Sequence, residues 1–378
     1  MKILFVIETC GGGSGRHLLD LARGTAAQGH EVHVAFSPLR ADPGFLQALS
    51  DLRGVRRFPI EMRTAPGRDD LRALRRLKRY IQHMGPFDVV HGHSSKGGAL
   101  ARLAATWSQA RRIYTPHALY TMNPELPPIK RKLYGVIEKL LASTVTDSII
   151  LVSEEEHHHA LKQGLPEEKM RVIVNGVEPR TAEELERTRQ RIRRRLATDD
   201  NVPIVGFVGR LDEQKAPERF IEIAARLTPR HPDTRFIMLG NGEKAPLIQS
   251  LIDEYGLKKH VKLFTNASGE EFMPAFDLFL MTSRYEAMPY VLIEALAAHL
   301  PIVSTDVGGA RTVIEEGVNG HIVPESDDVS TLAERVCNLL DDRNRLARYS
   351  AAAQRKAVEF REEEMVQQTL AHYASAAG

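Results

Sequence analysis

The chain has 378 residues, 43% of them hydrophobic and 26% charged, with 51 Lys and Arg against 49 Asp and Glu. Those proportions fit a globular protein and exclude low-complexity disorder, collagen-like repeats and, with Cys10 and Cys337 as the only cysteines, a disulfide scaffold. The length exceeds what one hydrophobic core usually fills, so two domains are expected. One cysteine in each half reads as reduced thiols in a cytoplasm. No run of 18 uncharged apolar residues occurs, so no membrane span is expected. The near-neutral total hides an asymmetry: residues 1–195 carry a net +11 and residues 196–378 a net −9, which makes the first half the partner of choice for an anionic surface or substrate.

In chain order, residues 3–7 form the first strand candidate, too short and too early interrupted by Glu8 for a signal peptide. Strands follow at 31–36, 87–91, 112–115, 148–152 and 171–174, with helices at 16–28, 97–107 and 129–143 between them. The alternation restarts at 203–208 and runs through 235–239, 261–264, 277–281, 301–304 and 320–323. This is the pattern of two tandem doubly wound α/β domains. The seam is placed at 178/179, after Asn175-Gly176, with the charged stretch 180–196 a helix beyond it. The tail from Leu332 reads as helices only, and its last piece, 351–378, is set apart from the second sheet.

Ligands of open parallel sheets bind beyond the carboxyl ends of the strands, and the polar and glycine-rich residues gather there. Thr9-Cys-Gly-Gly-Gly13-Ser14-Gly15 follows the first strand and opens a helix, a place where backbone N–H groups meet an anion. It matches neither the dinucleotide fingerprint nor the P-loop, and a tight strand-to-helix turn is the plain alternative. His91-Gly-His93-Ser94-Ser-Lys96 and Thr115-Pro-His117 follow later strands. His91 and His93 offer a metal pair, but with no cysteine or carboxylate pair beside them a polar rim facing a ligand is the expected reading. His157-His158-His159, after three glutamates at a helix start, reads as a solvated face.

In the second half, Arg210 follows a strand directly and Lys215 comes five residues later, two cations suited to a diphosphate at a helix N-terminus. The most specific segment is Ser283-Arg-Tyr-Glu286-Ala-Met288-Pro289-Tyr290-Val291-Leu-Ile-Glu294. Pro289 suits the start of a helix that is apolar on nearly every face except at Glu294. A carboxylate there is expected to be buried and therefore hydrogen-bonded, for instance to a sugar hydroxyl.

Together these residues resemble retaining, nucleotide-sugar-dependent glycosyltransferases of the GT-B fold, a family 4-like group typified by bacterial polysaccharide and lipid-glycan enzymes. The resemblance rests on Gly12-Gly13, Asp88-Val-Val-His91, Tyr114-Thr-Pro-His117, Val152-Ser-Glu154, Val174-Asn-Gly-Val177, Val208-Gly-Arg210, Gln214-Lys215, Leu239-Gly-Asn-Gly242, the glutamates at 286 and 294 with seven residues between them, and Val307-Gly-Gly309, in that order. It implies two Rossmann-like domains facing a central cleft: 1–178 on the acceptor side, 179–350 binding the nucleotide sugar, and 351–378 as a helix packing back on the first. By the same resemblance Arg210 and Lys215 hold the departing diphosphate, Glu294 the ribose and Glu286 the donor sugar. Backbone groups of Met288, Pro289, Tyr290 and Val291 touch sugar and phosphates, Gly13 faces the diphosphate, and His117 lies beside the reacting sugar. Ser14, His93, Ser94 and Lys96 fall on the acceptor side. Ala287 departs from the glycine usual after the first glutamate.

The implied reaction is retaining transfer from a UDP- or GDP-linked sugar to a hydroxyl of a glycan or lipid-linked acceptor, by front-face attack. No cofactor and no metal are expected, and the sequence holds no Asp-x-Asp triplet. The alternatives are a nucleotide-sugar epimerase or hydrolase of the same fold, or a non-catalytic nucleotide-sugar sensor. No nucleic-acid partner is expected. The expected location is the cytoplasm, with peripheral attachment to the inner face of the cell membrane through the basic first domain. The candidate for that contact is the helix at 68–81, whose Leu71, Leu74, Leu77 and Ile81 form a stripe flanked by arginines. Covering the sheet with that stripe is the favoured reading, and Lys130-Arg-Lys132 would extend the basic patch.

Overall fold

The computed structural model describes residues 1–63, 67–326 and 328–375. The chain divides into two compact units, Met1–Asn175 with the chain from Glu362 onward, and Gly176–Arg361.

Among the described residues the first unit carries seven strands: β1 Lys2–Ile7, β2 Glu31–Phe36, β3 Val55–Pro59, β4 Val89–His93, β5 Arg111–Thr115, β6 Ser148–Leu151 and β7 Met170–Val172. They lie in the order β3-β2-β1-β4-β5-β6-β7 and pair in parallel throughout. A central strand of a parallel sheet is covered on both faces, which is why β1 reads Lys-Ile-Leu-Phe-Val-Ile without alternation. Strand β3 was not expected from the sequence. It is an edge strand whose Arg56 and Arg57 are exposed, so it has no apolar run to reveal it. Strand β4 continues through His93, two residues past its expected end.

Helix Ser95–Ala104 lies unusually close to the sheet. A Cβ on Gly98 would stand 2.3 Å from the Tyr114 ring, and one on Gly92 would stand 2.6 Å from Gly98. The glycines of this segment therefore serve helix–strand packing. Helix Arg68–Met84 buries Leu77 and Ile81 against the same sheet and leaves Leu71 exposed, the sheet-covering arrangement.

The second unit has β8 Ile204–Val208, β9 Arg235–Leu239, β10 Val261–Phe264, β11 Leu278–Met281, β12 Ile302–Thr305 and β13 Gly320–Val323, in the order β10-β9-β8-β11-β12-β13. This parallel sheet is covered by Phe220, Ile223 and Ala224 of one helix and Leu332, Val336 and Leu339 of another. In each sheet the chain order reverses beside the first strand of the unit, between β1 and β4 and between β8 and β11. Parallel sheets bind ligands at such a switch point.

The tail divides eleven residues later than expected. Helix Arg343–Ala357 runs through the anticipated break at 350/351 and belongs to the second unit, whereas helix Glu362–Ser375 belongs to the first. The break falls where Phe360 is buried and its carbonyl accepts from Val177 N–H at 2.9 Å, so the two chain crossings lie side by side. Met365, Val366, Leu370 and Tyr373 join Leu18, Leu21 and Ala22 in the first unit's core. Both cysteines are free, and burial pushes the Cys10 thiol up to about 12.

Candidate active site

In the second unit the loops after β8 and β11 are tied together. The Thr282 hydroxyl donates to the carbonyls of Lys215 and Ala216 at 3.0 Å each, and Arg284 N–H donates to Gln214 O at 2.8 Å. The turn after β9 presses on the loop after β8: Gly240 sits at φ +152°, and a Cβ there would meet Gly209 O at 1.8 Å. These contacts hold a chain of polar side chains. Lys215 Nζ meets Glu286 Oε1 at 2.5 Å. Gln214 Nε2 donates to Glu286 Oε2 at 3.3 Å and to Tyr285 O at 3.0 Å, and Arg210 donates to Gln214 Oε1 at 3.0 Å. Arg210 is also paired with Asp212 at 3.1 Å and stays mostly exposed, while Lys215 and Glu286 are largely buried. A largely buried carboxylate and ammonium, an exposed guanidinium, and an amide bridging the carboxylate and the guanidinium are groups able to bind an anion that carries hydroxyls.

Met288 and Tyr290 are buried, Pro289 caps helix Tyr290–Ala297, and Val291 lies in its first turn. Gly308 and Gly309 admit this segment closely: Cβ atoms on them would stand 2.4 Å from Glu286 O and 2.6 Å from Met288 Sδ. Glu294 departs from expectation. It is half-buried, because it shares with Val291 and Ala298 the one side of the helix that does not pack into the core.

In the first unit, Gly13 lies in the first turn of helix Gly12–Ala27 and Gly12 takes φ +58°. Glu8, buried before this loop, accepts from Arg40 at 3.0 Å and from Thr9 at 2.7 Å. Ser14 is turned back onto the loop, its hydroxyl donating to Thr9 O at 3.2 Å. Lys96 is held by Asp70 at 2.8 Å, so its charge is already shared with a carboxylate. Ser94 has φ 61° and ψ 166°, a region that side chains rarely occupy and that is retained mostly at functional sites. Among the described residues, the buried Ser94 Oγ and His93 Nε2 have no hydrogen-bond partner, which leaves both able to bond a ligand or water.

The histidines associate differently from the expected pair. His91 turns to Tyr373 Oη at 2.6 Å and Thr115 Oγ1 at 2.8 Å, inside the core. His93 Nδ1 meets His117 Nε2 at 3.0 Å, and His17, bonded to Asn175 at 3.0 Å, stacks edge-on to His117. Donor atoms of His17, His93 and His117 lie within 4.8 Å of one another, a set able to hold a transition-metal ion, as is the set His231, Cys337 and Asp341 of the second unit. The strand spacing of His91 and His93 did not signal either group. Burial pushes His17 down to about 4 and holds His91, His93 and His117 well below the ordinary imidazole range.

These histidines give the first unit acid lability. The unfolded chain takes up their protons near pH 6.5 while the folded unit resists to about 4 at His17, so stability falls as pH drops through that window. Asp20 and Glu156, both raised to about 7 by burial, oppose this, but are two groups against four. A thermal melt at pH 5 should lie below that at pH 7, and replacing His17 by Asn should narrow the gap. Equal melting temperatures for the native chain would contradict this account.

His117 and the following Ala118 both have positive φ, 57° and 85°. The turn is held by Glu156, fully buried, whose Oε1 accepts from Ala118 N–H at 2.9 Å and Leu119 N–H at 3.0 Å, and whose Oε2 accepts from Val152 N–H at 3.0 Å. Glu156 was thus missed within a run of glutamates and histidines read as solvated. The signal was Ser153, whose hydroxyl caps this helix at Glu156 N and turns the third glutamate inward. Gln214 was noted only as part of a motif, and His17, one helical turn after Gly13, showed no local signal at all.

Residues 11–181 match the family described as Glycosyltransferase Family 4, and residues 188–356 the family described as Glycosyl transferases group 1. The D-inositol 3-phosphate glycosyltransferase of Thermobispora bispora is 30% identical over 308 residues, covering 73% of this chain and 68% of that protein. The alpha-D-kanosaminyltransferase of Streptomyces kanamyceticus is 36% identical over 173 residues, 44% of each protein. Among solved structures, Anabaena Alr3699/HepE in complex with UDP-glucose has the same fold, with a TM-score of 0.83 and 22% identity over 99% of this chain and 100% of that one.

Proposed function

Since the chain belongs to the family 4 glycosyltransferases, with the two-domain GT-B fold, we propose that it moves a sugar from a nucleotide-sugar donor to a hydroxyl of a glycan or lipid-linked acceptor, with retention. The observation that carries the donor assignment is the chain Arg210–Gln214–Glu286–Lys215 at the strand ends of the second unit. In this reading Glu286 accepts from hydroxyls of the donor sugar. Lys215 and Arg210 take the diphosphate as its negative charge grows, and helix Tyr290–Ala297 presents its first N–H groups to the same anion. A cation about 4 Å from a phosphate charge gains roughly 4 kcal/mol at an effective dielectric near 20, before desolvation. Glu294 takes the ribose. The UDP-glucose complex of HepE supports a UDP-linked donor, with GDP as the other candidate.

The first unit receives the acceptor. His93, Ser94 and His117 stand at its strand ends, and buried neutral imidazoles can take or give a hydrogen bond without adding charge. The absence of an Asp-x-Asp triplet supports departure assisted by side chains and amides without a metal, with the acceptor hydroxyl attacking on the face the diphosphate leaves. No helix among the described residues is long and apolar enough to cross a membrane. We place the enzyme in the cytoplasm, with an anionic membrane surface as a partner of the basic first unit.

The test is incubation with a panel of UDP- and GDP-sugars and candidate acceptors, followed by chromatography. A glycoside with retained anomeric configuration is expected. An epimerised nucleotide sugar or free sugar alone would replace transfer by epimerisation or hydrolysis. Thermal stabilisation by a donor without any product would leave only a sensor.

A further inference from the structure

Helix Pro128–Thr144 presents its large apolar side chains to solvent. Ile129 is 84% exposed, Leu133 56%, Val136 59%, Ile137 43% and Leu140 61%. At about 100° per residue these five fall within an arc of about 100° and extend for about 16 Å along the helix. The opposite side is fixed to the first unit. Gly135 and Ala142 are buried, Glu138 meets the buried Arg102 at 2.8 Å, and Arg131 donates to Asn123 O at 3.0 Å and Pro124 O at 2.8 Å. The helix therefore cannot roll its apolar stripe inward. Lys130 borders the stripe on one side and Lys132 and Lys139 on the other, all three exposed. Glu138, already paired with Arg102, is the only acidic residue of the helix. Tyr120, exposed, stacks edge-on to Tyr134 at 4.9 Å beside it, an aromatic pair of the kind found at membrane interfaces.

We propose that this helix, and not Arg68–Met84, is the face by which the protein docks on an anionic lipid surface. The stripe enters the boundary between head groups and acyl chains, while the flanking lysines meet lipid phosphates. A second copy is a poorer occupant. A two-fold interface would set the same lysine rows against each other, with no free carboxylate on the helix to separate them. In Arg68–Met84 the corresponding stripe is spent on the sheet, since Leu77 and Ile81 are buried there. This inference rests on the membrane partner of the proposed function and names its residues; it needs no transfer activity for its test.

The experiment is co-sedimentation of the full chain with vesicles of phosphatidylcholine alone or with about 30% phosphatidylglycerol, at about 0.1 M salt. Binding is expected to the anionic vesicles, to fall at least about tenfold in the pair Leu133→Asp, Ile137→Asp, and to fall similarly in Lys130→Glu, Lys132→Glu, Lys139→Glu. Because these side chains are exposed, circular dichroism and melting should match the native chain. The set Arg72→Glu, Arg75→Glu, Arg79→Glu should keep binding within about twofold. Loss of binding in that set with full binding by the Leu133 and Ile137 pair would keep the membrane reading and overturn this one. No binding by the native chain, or a dimer that the Leu133 and Ile137 pair dissolves in place of vesicle binding, would overturn it as well.

Discussion

Lys215→Ala is expected to lower kcat/KM for sugar transfer by about 100-fold or more, equivalent to about 2.7 kcal/mol of transition-state stabilisation. Lys215 is the largely buried cation of the proposed donor site, so its charge is screened less than that of the exposed Arg210. Arg210→Ala should therefore cost less. Lys215→Ala also takes the ammonium from the buried Glu286 and leaves it the Gln214 amide, so some stability is lost too. The two effects separate in the double variant Lys215→Met, Glu286→Gln, which removes both charges. Its melting temperature should recover towards the native value while transfer stays low. Native-like turnover in Lys215→Ala, or recovery of transfer in the double variant, would remove the lysine from the reaction.

Glu156→Leu is expected to destabilise the first unit by about 3 kcal/mol or more, because two buried N–H groups and the part-buried one of Ala118 lose their acceptor at about 1–3 kcal/mol each. Hydrogen exchange at 117–119 and 152 should accelerate most. Glu156→Gln keeps one acceptor oxygen, enough for Ala118 and Leu119, and turns a donor toward Val152 N–H, so its loss should be smaller. The pH dependence has a definite sign. Burial raises Glu156 from 4.5 to about 7, although its three backbone N–H partners pull the other way. Between those values the folded unit holds the proton and the unfolded chain does not, so this group's contribution is complete below pH 4.5 and declines as pH rises to 7. Glu156→Gln should abolish that decline. Because His117 sits on the turn that Glu156 holds, transfer should fall in both variants, in proportion to the loosening of the turn. Unchanged exchange at 117–119 in Glu156→Leu would refute the positioning role.

Much of the candidate donor site was legible because its polar residues are packed into short segments. Gln214-Lys215 and the glutamates at 286 and 294 each sit within one loop–helix junction, so the residue types and their spacing are visible along the chain. The reading of Glu294 as buried failed for a local reason: an eight-residue helix can be apolar in composition and still leave one side uncovered, and nothing within the helix says which side. The histidines were less legible. His91 and His93 differ by two positions and so point to the same face of β4, yet they meet different partners. His91 is consumed by Tyr373, 282 residues away in the chain, while His93 meets His117 just past the end of β5.

By itself the sequence determined the two parallel α/β units, the strand ends at which chemistry gathers, and the cation–carboxylate set of the second unit. These follow from periodicity and from which residue types stand beside a strand terminus, both local properties. Only the tertiary structure decided that Glu156 is a buried strut, that His17 joins His93 and His117, that β3 exists, and that the chain returns to the first unit at Glu362. It also decided which amphipathic helix spends its apolar stripe on the sheet and which turns it to solvent. Helix Arg68–Met84 and helix Pro128–Thr144 both carry leucines at helical spacing beside basic residues. Their fates differ because Glu138 and Gly135 anchor the second helix by its polar and small side, an orientation that depends on Arg102 and on residues beyond the helix itself.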